Sequence, residues 1–109
     1  MPLYMWQGAY TSEGWATLTE KPQNRVQAVR PAVERLGGKI RSAFFCFGEY
    51  DVILIVEMPD NVSAAALAMA IASGGAIRTS KITVLLPPED GLAAMKKAST
   101  AGYHAPKAN

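Results

Sequence analysis

The sequence predicts a small α+β domain of the ferredoxin-like kind, βαββαβ, with four antiparallel strands in one sheet. Three observations carry that expectation. Two apolar, strand-forming runs, Phe44–Phe47 and Val52–Val56, meet across a bend at Gly48. A helical stripe precedes that hairpin, and a small-residue helix followed by another strand pattern comes after it.

Taken in order, Tyr4 to Tyr10 alternates with period two, so Tyr4, Trp6 and Tyr10 share one side of a first strand. Thr11 to Gln23 is polar and reads as a connector carrying Trp15, with Thr17-Leu18-Thr19-Glu20 in the form of a capping box that opens a helical turn. From Asn24 on, Val26, Val29, Val33 and Leu36 form one apolar helix stripe that stops at Gly37-Gly38. Pro31 lies inside it, cannot donate to the carbonyl of Gln27, and predicts a kink or a break.

Lys39–Phe47 and Tyr50–Met58 then pair through a Gly48-Glu49 turn, whose first central residue needs a positive φ. Counting outward sets Phe47 opposite Tyr50, Cys46 opposite Asp51, Phe45 opposite Val52 and Phe44 opposite Ile53. Asp60 is the expected N-cap of a helix from Asn61 to about Ser73, and Ala76–Leu86 is a last strand closed by Pro87-Pro88. Glu89–Ala98 forms a short helix. The expected domain spans residues 1–98, and residues 99–109 form a weakly structured tail.

Right-handed crossovers put the first and third strands at the centre of the sheet. The third strand is apolar on both sides, with Val52, Leu54 and Val56 on one and Ile53 and Ile55 on the other. Two helices cover only one side, so the other needs a second protein layer. The simplest source is the same face of another copy, which predicts an isologous homodimer or a multiple of it. The competing arrangement is a monomer whose own tail folds over the open face.

Composition narrows the function classes. The chain has 109 residues, half of them hydrophobic, and a net charge of +2, with its Lys and Arg scattered rather than gathered in a stripe. That argues against sustained binding to nucleic acid. The apolar run Val52 to Val56 is too short to cross a membrane, and the N-terminus lacks the layout of a signal peptide. A cytoplasmic protein is expected. A lone cysteine excludes an intrachain disulfide and a multi-thiolate zinc site. No phosphate loop, paired-histidine metal spacing or nucleophile elbow is present, and His104 lies in the tail, a poor position for an axial haem ligand. No cofactor is expected.

Several segments carry a family likeness: Tyr10-Thr11, Leu36-Gly37-Gly38-Lys39, Gly48-Glu49-Tyr50-Asp51, Glu57-Met58-Pro59-Asp60 and Arg78-Thr79. Over roughly Leu3 to Leu86 the chain resembles the GYD-domain proteins. That resemblance implies a dimeric α+β barrel, in agreement with the strand patterning, and implies no particular reaction, since members of the family largely lack an assigned activity.

The candidate site residues come from the same hairpin and its neighbours. Tyr10, Trp15, Phe45 and Tyr50 are expected to wall an aromatic pocket near one end of the sheet, with Arg25 or Arg78 holding an anionic group. The same aromatics also suit plain core and dimer contacts. Asp51 is either a general acid or base or a carboxylate that hydrogen-bonds backbone amides and locks the hairpin. Arg78 is expected to find a partner in Asp51 or Glu57, and Cys46, among Phe44, Phe45 and Phe47, reads as an inert thiol. Two functions follow: a homo-oligomeric binding module for a small aromatic or carboxylated ligand, or a cofactor-independent oxygenase or isomerase with Asp51 as proton carrier. The first is preferred, because a single acid without a paired base or oxyanion donor leaves a catalytic set incomplete.

Overall fold

A computed structural model describes residues 1–107. Its elements are β1 (Leu3–Tyr10), α1 (Ser12–Glu20), α2 (Arg25–Arg35), β2 (Lys39–Phe45), β3 (Val52–Glu57), α3 (Asn61–Ser73), β4 (Ile77–Leu85) and α4 (Pro88–Ala98). The four strands form one antiparallel sheet in the order β2-β3-β1-β4, the ferredoxin-like arrangement. The two most apolar strands, β3 and β1, therefore occupy the centre, where neighbouring strands pair both of their edges.

Alternation sorts the side chains as the sequence requires. Tyr4 pairs with Val56 and Trp6 with Leu54, and all four are buried on the side that α2 and α3 cover. Val33 of α2 and Ala64 and Leu67 of α3 complete this core, flanked by Val26, Val29 and Ile71. The Tyr4 hydroxyl donates to Asn61 Oδ1 at 2.6 Å, tying the start of α3 to the sheet. Asp60 caps α3 by accepting from the Ser63 N–H at 2.8 Å, and Asn24 caps α2 through the N–H groups of Val26 and Gln27.

The expected hairpin register holds: Phe45 faces Val52 and Phe44 faces Ile53. The strands are shorter than expected, because regular pairing stops at those residues and Cys46 to Asp51 form the connection. The Cys46 N–H still donates to the Asp51 carbonyl at 2.8 Å, and Gly48 adopts a φ of 133°, open to glycine and costly for other residues.

Three expectations are corrected. The connector is largely helix, and its cap is Thr11 rather than Thr17: the Thr11 hydroxyl accepts from the Gly14 N–H at 2.9 Å. Thr17 lies inside α1, where its hydroxyl instead donates back to the Glu13 carbonyl. Pro31 does not end α2, which runs through it to Arg35. Val29 before it and Val33 after it both pack on the core, so tertiary contacts hold the two halves in one helix despite the missing donor. The predicted ion pair of Arg78 is not formed. Glu57 instead pairs with Arg41 at 3.1 Å.

Both edge strands carry an arginine at an irregularity. Arg41 interrupts the β2–β3 register between Ile40 and Ser42, and Arg78 falls where the β1–β4 register shifts, between the partners of Ala9 and Tyr10. Bulges and charges at sheet edges block edge-to-edge pairing with other strands.

Beyond β4 the chain leaves the body of the domain. No residue of α4 is buried, and Leu92 and Met95 are exposed. The radius of gyration is 17.8 Å and the longest dimension 60 Å, against about 13 Å for the radius of a compact chain of this size. Residues 99–107 of the expected tail are exposed, and its last two residues lie outside the described ones.

Candidate functional site

A cavity of about 260 Å³ lies between the covered face of the sheet and helices α2 and α3. Small side chains create it. Ala28 and Ala32 of α2, Ala70 of α3 and Gly74 just past the end of α3 line it with little side-chain volume. Trp6, Val52 and Leu54 form the sheet side, so the walls are mostly apolar.

Two polar groups belong to residues of this lining. The first is the Trp6 Nε1, which is closed off by burial rather than open to the cavity and is the one buried side-chain nitrogen or oxygen without a hydrogen-bond partner among the described residues. A buried orphan donor of this kind costs free energy unless something accepts from it. The second is Arg25, the first residue of α2 and the only charged residue among those lining the cavity. Its guanidinium is held by Gln23 Oε1 at 3.1 Å. Arg25 and Tyr10 also border a second, more open recess of about 490 Å³ that continues past Glu13, Thr17 and Gln23. Burial pushes the Tyr10 phenol above its usual pKa; the nearby Arg25 charge pulls it back, and Asp51 adds to the rise.

The structure brings together Tyr10, Arg25 and Phe45 from the expected set at this cavity. Trp15 stands outside it, its ring edge-on to Tyr10 with centroids 5.0 Å apart. Tyr50, Asp51 and Arg78 are not among the lining residues, and Arg78 is exposed on β4. Asp51 works on the backbone. Its Oδ2 accepts the Tyr10 N–H at 2.9 Å, and its own N–H donates to the Gly8 carbonyl at 2.9 Å, so one residue fastens the hairpin to β1 beside the β1–β4 irregularity. Cys46 is half-buried, and its thiol donates to the Tyr50 carbonyl at 3.1 Å.

Sequence reasoning missed Trp6, which it placed only on one side of the first strand, and the small helix residues. A signal was present. Gly8 follows Trp6 on the same face of β1, and a tryptophan beside a missing side chain has room to lie flat along the strand. Ala28, Ala32 and Ala70 line the cavity from two helices, and Ala28 and Ala70 are exposed, so the gap between the helices stands open.

The model of the GYD domain family matches residues 4–95. The chain belongs to the GYD-domain family. The match runs past β4 into α4, further than the motifs alone reach. In this GYD chain the signature segment Gly48-Glu49-Tyr50-Asp51 builds the hairpin connection and its tie to β1. A curated relative, the glutamine synthetase and cystathionine beta-lyase binding protein of Thermus thermophilus, is 28% identical over 97 residues, covering 88% of this chain and 100% of the relative. Among solved structures, MtbAldR matches with a TM-score of 0.57 at 15% identity over 79% of this chain and 53% of its own. Another Thermus thermophilus protein matches with a TM-score of 0.52 at 16% identity over 80% of this chain and 95% of its own. At such identities the structural likenesses speak to fold alone.

Proposed function

We propose that this GYD-domain chain is a homo-oligomeric binding module, in which the uncovered faces of two sheets pack together and the cavity of each copy holds a small organic ligand. The observation that carries the reading is the uncovered face. Ile53, Ile55 and Met5 lie side by side on the central strands, with Leu3 and Leu85 along the next row, and Phe44 on β2 is 64% exposed. Gln7, Lys39 and Lys81 surround this apolar centre, the pattern of an interface core with a polar rim. Because the edge strands are broken by Arg41 and Arg78, association through the face is favoured over growth along the edges. The exposed α4 offers further surface, since an isolated helix of 11 residues is marginal in water without packing.

The name of the Thermus relative describes a protein that binds enzymes. That supports an interaction role here and leaves the partners of this chain to be identified. A cytoplasmic setting accords with the free Cys46, and no helix among the described residues is long and apolar enough to cross a membrane. The enzymatic alternative draws no support from the site, because the Asp51 carboxylate lies off the cavity and is engaged by the Tyr10 N–H.

Sedimentation equilibrium tests the pairing. The expected particle mass is at least twice 11.7 kDa, falling toward 11.7 kDa in an Ile53→Lys/Ile55→Lys variant that keeps its secondary structure. A wild-type particle that stays at 11.7 kDa from dilute to concentrated solution overturns the reading.

A further inference from the structure

Two apolar helix faces in this chain have nothing packed against them. The first belongs to α3, which carries no charged residue from Asn61 to Ser73. Its inner side meets the sheet through Ala64 and Leu67, whereas Val62, Ala65, Met69 and Ala72, spaced three, four and three apart, share the outer side. Val62 is 79% and Met69 70% exposed, although a helix with apolar residues on every side is the kind that proteins bury. The second face belongs to α4. Pro88, Gly91, Leu92, Met95 and Ala98 fall along one side of it, with Asp90 and Lys97 opposite, and no residue of the helix is buried. The family match includes Leu92 and Met95, which places them inside the domain rather than in a tail.

The chain keeps these two faces of one copy apart. Between β4, which ends at Leu85, and α4, which begins at Pro88, the link is Leu86-Pro87. Each link residue precedes a proline, which disfavours the helical region and holds it extended, and Pro87 sits at φ −58° and ψ 153°. Reversing a chain takes residues outside the extended region. The link therefore carries α4 away from its own α3, and the domain reaches 60 Å in its longest dimension.

We infer that α4 is an exchanged arm, whose Leu92 and Met95 pack on the Val62–Met69 face of α3 in a second copy of this chain. The two helices match in length, about 17 and 20 Å by the rise of an α-helix. Each face sets large side chains beside Gly or Ala, so the ridges of one helix find grooves on the other. The arm rests on the homo-oligomeric reading above. One face of an 11-residue helix falls short of the ~1,200 Å² total of a stable interface, so the arm strengthens the sheet-face association and does not replace it. It starts beside Leu85, a residue of the uncovered sheet face, so the two contacts share β4 as a common support.

The test cross-links the arm across copies. Cys46→Ser removes the only native thiol, and chains carrying either Leu92→Cys or Met69→Cys, each with its own affinity tag, are coexpressed and treated with a short bismaleimide. The expected product is a covalent pair of about twice 11.7 kDa that carries both tags, while Lys97→Cys, on the opposite side of α4, gives none with Met69→Cys. Sedimentation supplies a readout without thiols. Met69→Glu and Leu92→Glu are each expected to raise the dissociation constant about tenfold, and the double variant no further, because both remove one contact. Both residues are exposed in the single copy, so each variant keeps its fold. Linking of the two positions inside one doubly substituted chain, or of Leu92→Cys chains to one another, gives α4 a different seat and overturns the inference. An oligomer that forms no pair carrying both tags also overturns it and leaves the homo-oligomeric reading standing. A wild-type particle of 11.7 kDa at every concentration overturns both.

Discussion

The two faces of the central strands differ more in what covers them than in what they are made of. On β3, Val52, Leu54 and Val56 lie beneath α2 and α3 with 5% exposure or less, whereas Ile53 and Ile55, equally apolar, are only half-buried. Residues one step apart in the chain thus separate the folding of one copy from the pairing of two that we propose. The covered face explains why the chain folds. The uncovered face gives it a reason to associate.

Single substitutions break the comparison cleanly. Leu54→Ala removes a side chain that is 2% exposed and is expected to cost about 2–5 kcal/mol in chemical denaturation. Ile55→Ala, its neighbour, should cost the folded monomer far less and instead raise the dimer dissociation constant measured by dilution. Equal losses in monomer stability would mean that both faces are buried within one copy. Asp51→Ala comes next, because it strips the acceptor from the buried Tyr10 N–H and should cost about 1–3 kcal/mol. Asp51→Asn, which keeps an acceptor oxygen, should recover most of that in the same denaturation experiment. Tyr4→Phe removes the hydroxyl that holds Asn61 and should cost about 0.5–1.5 kcal/mol.

The smallest effects are electrostatic. The folded pKa of Tyr10 is raised, so its contribution to stability is full below the free phenol value and is lost as pH climbs through the folded one. Arg25→Gln removes the charge that pulls this pKa down, and ultraviolet titration, with Tyr10→Phe as the reference, should show the phenol moving further up. Asp60 behaves in the opposite sense. Hydrogen bonds from Ser63 hold its pKa below the usual value, so its stabilisation is complete above the ordinary carboxylate range and fades as pH falls through the folded value. Asp60→Asn should keep the cap and flatten that acid limb of the melting curve.

The fold was largely legible because its signals are local and periodic. Alternation at Tyr4, Trp6 and Tyr10, the Gly48 bend and the Asp60 cap each act within a few residues and point to one topology. Helix α1 escaped because Thr17-Leu18-Thr19-Glu20 matches a capping box while the real cap, Thr11, is fixed by a distant contact, its N–H donating to the Ala76 carbonyl. The continuity of α2 through Pro31 likewise comes from packing that no local rule contains.

The site was less legible, because a cavity is made of what is missing. Tyr10, Arg25 and Phe45 were visible as chemistry-bearing residues, but the space between them depends on the small residues Ala28, Ala32, Ala70 and Gly74 that line it. Asp51 reads in the sequence either as an acid–base group or as a carboxylate that binds backbone amides at the hairpin, and the three-dimensional pairing adds that the amide it binds belongs to β1.

Gly8 gives this architecture a genetic handle. A methyl group there would overlap the six-membered ring of the Trp6 indole, and it would do so on the helix-covered side of β1, away from Met5 and Ile55. Gly8→Ala is therefore expected to displace the tryptophan and silence small-molecule recognition while self-association persists. A strain carrying that allele, set beside one carrying a charged residue at Ile55, would reveal which of the two surfaces its physiology requires.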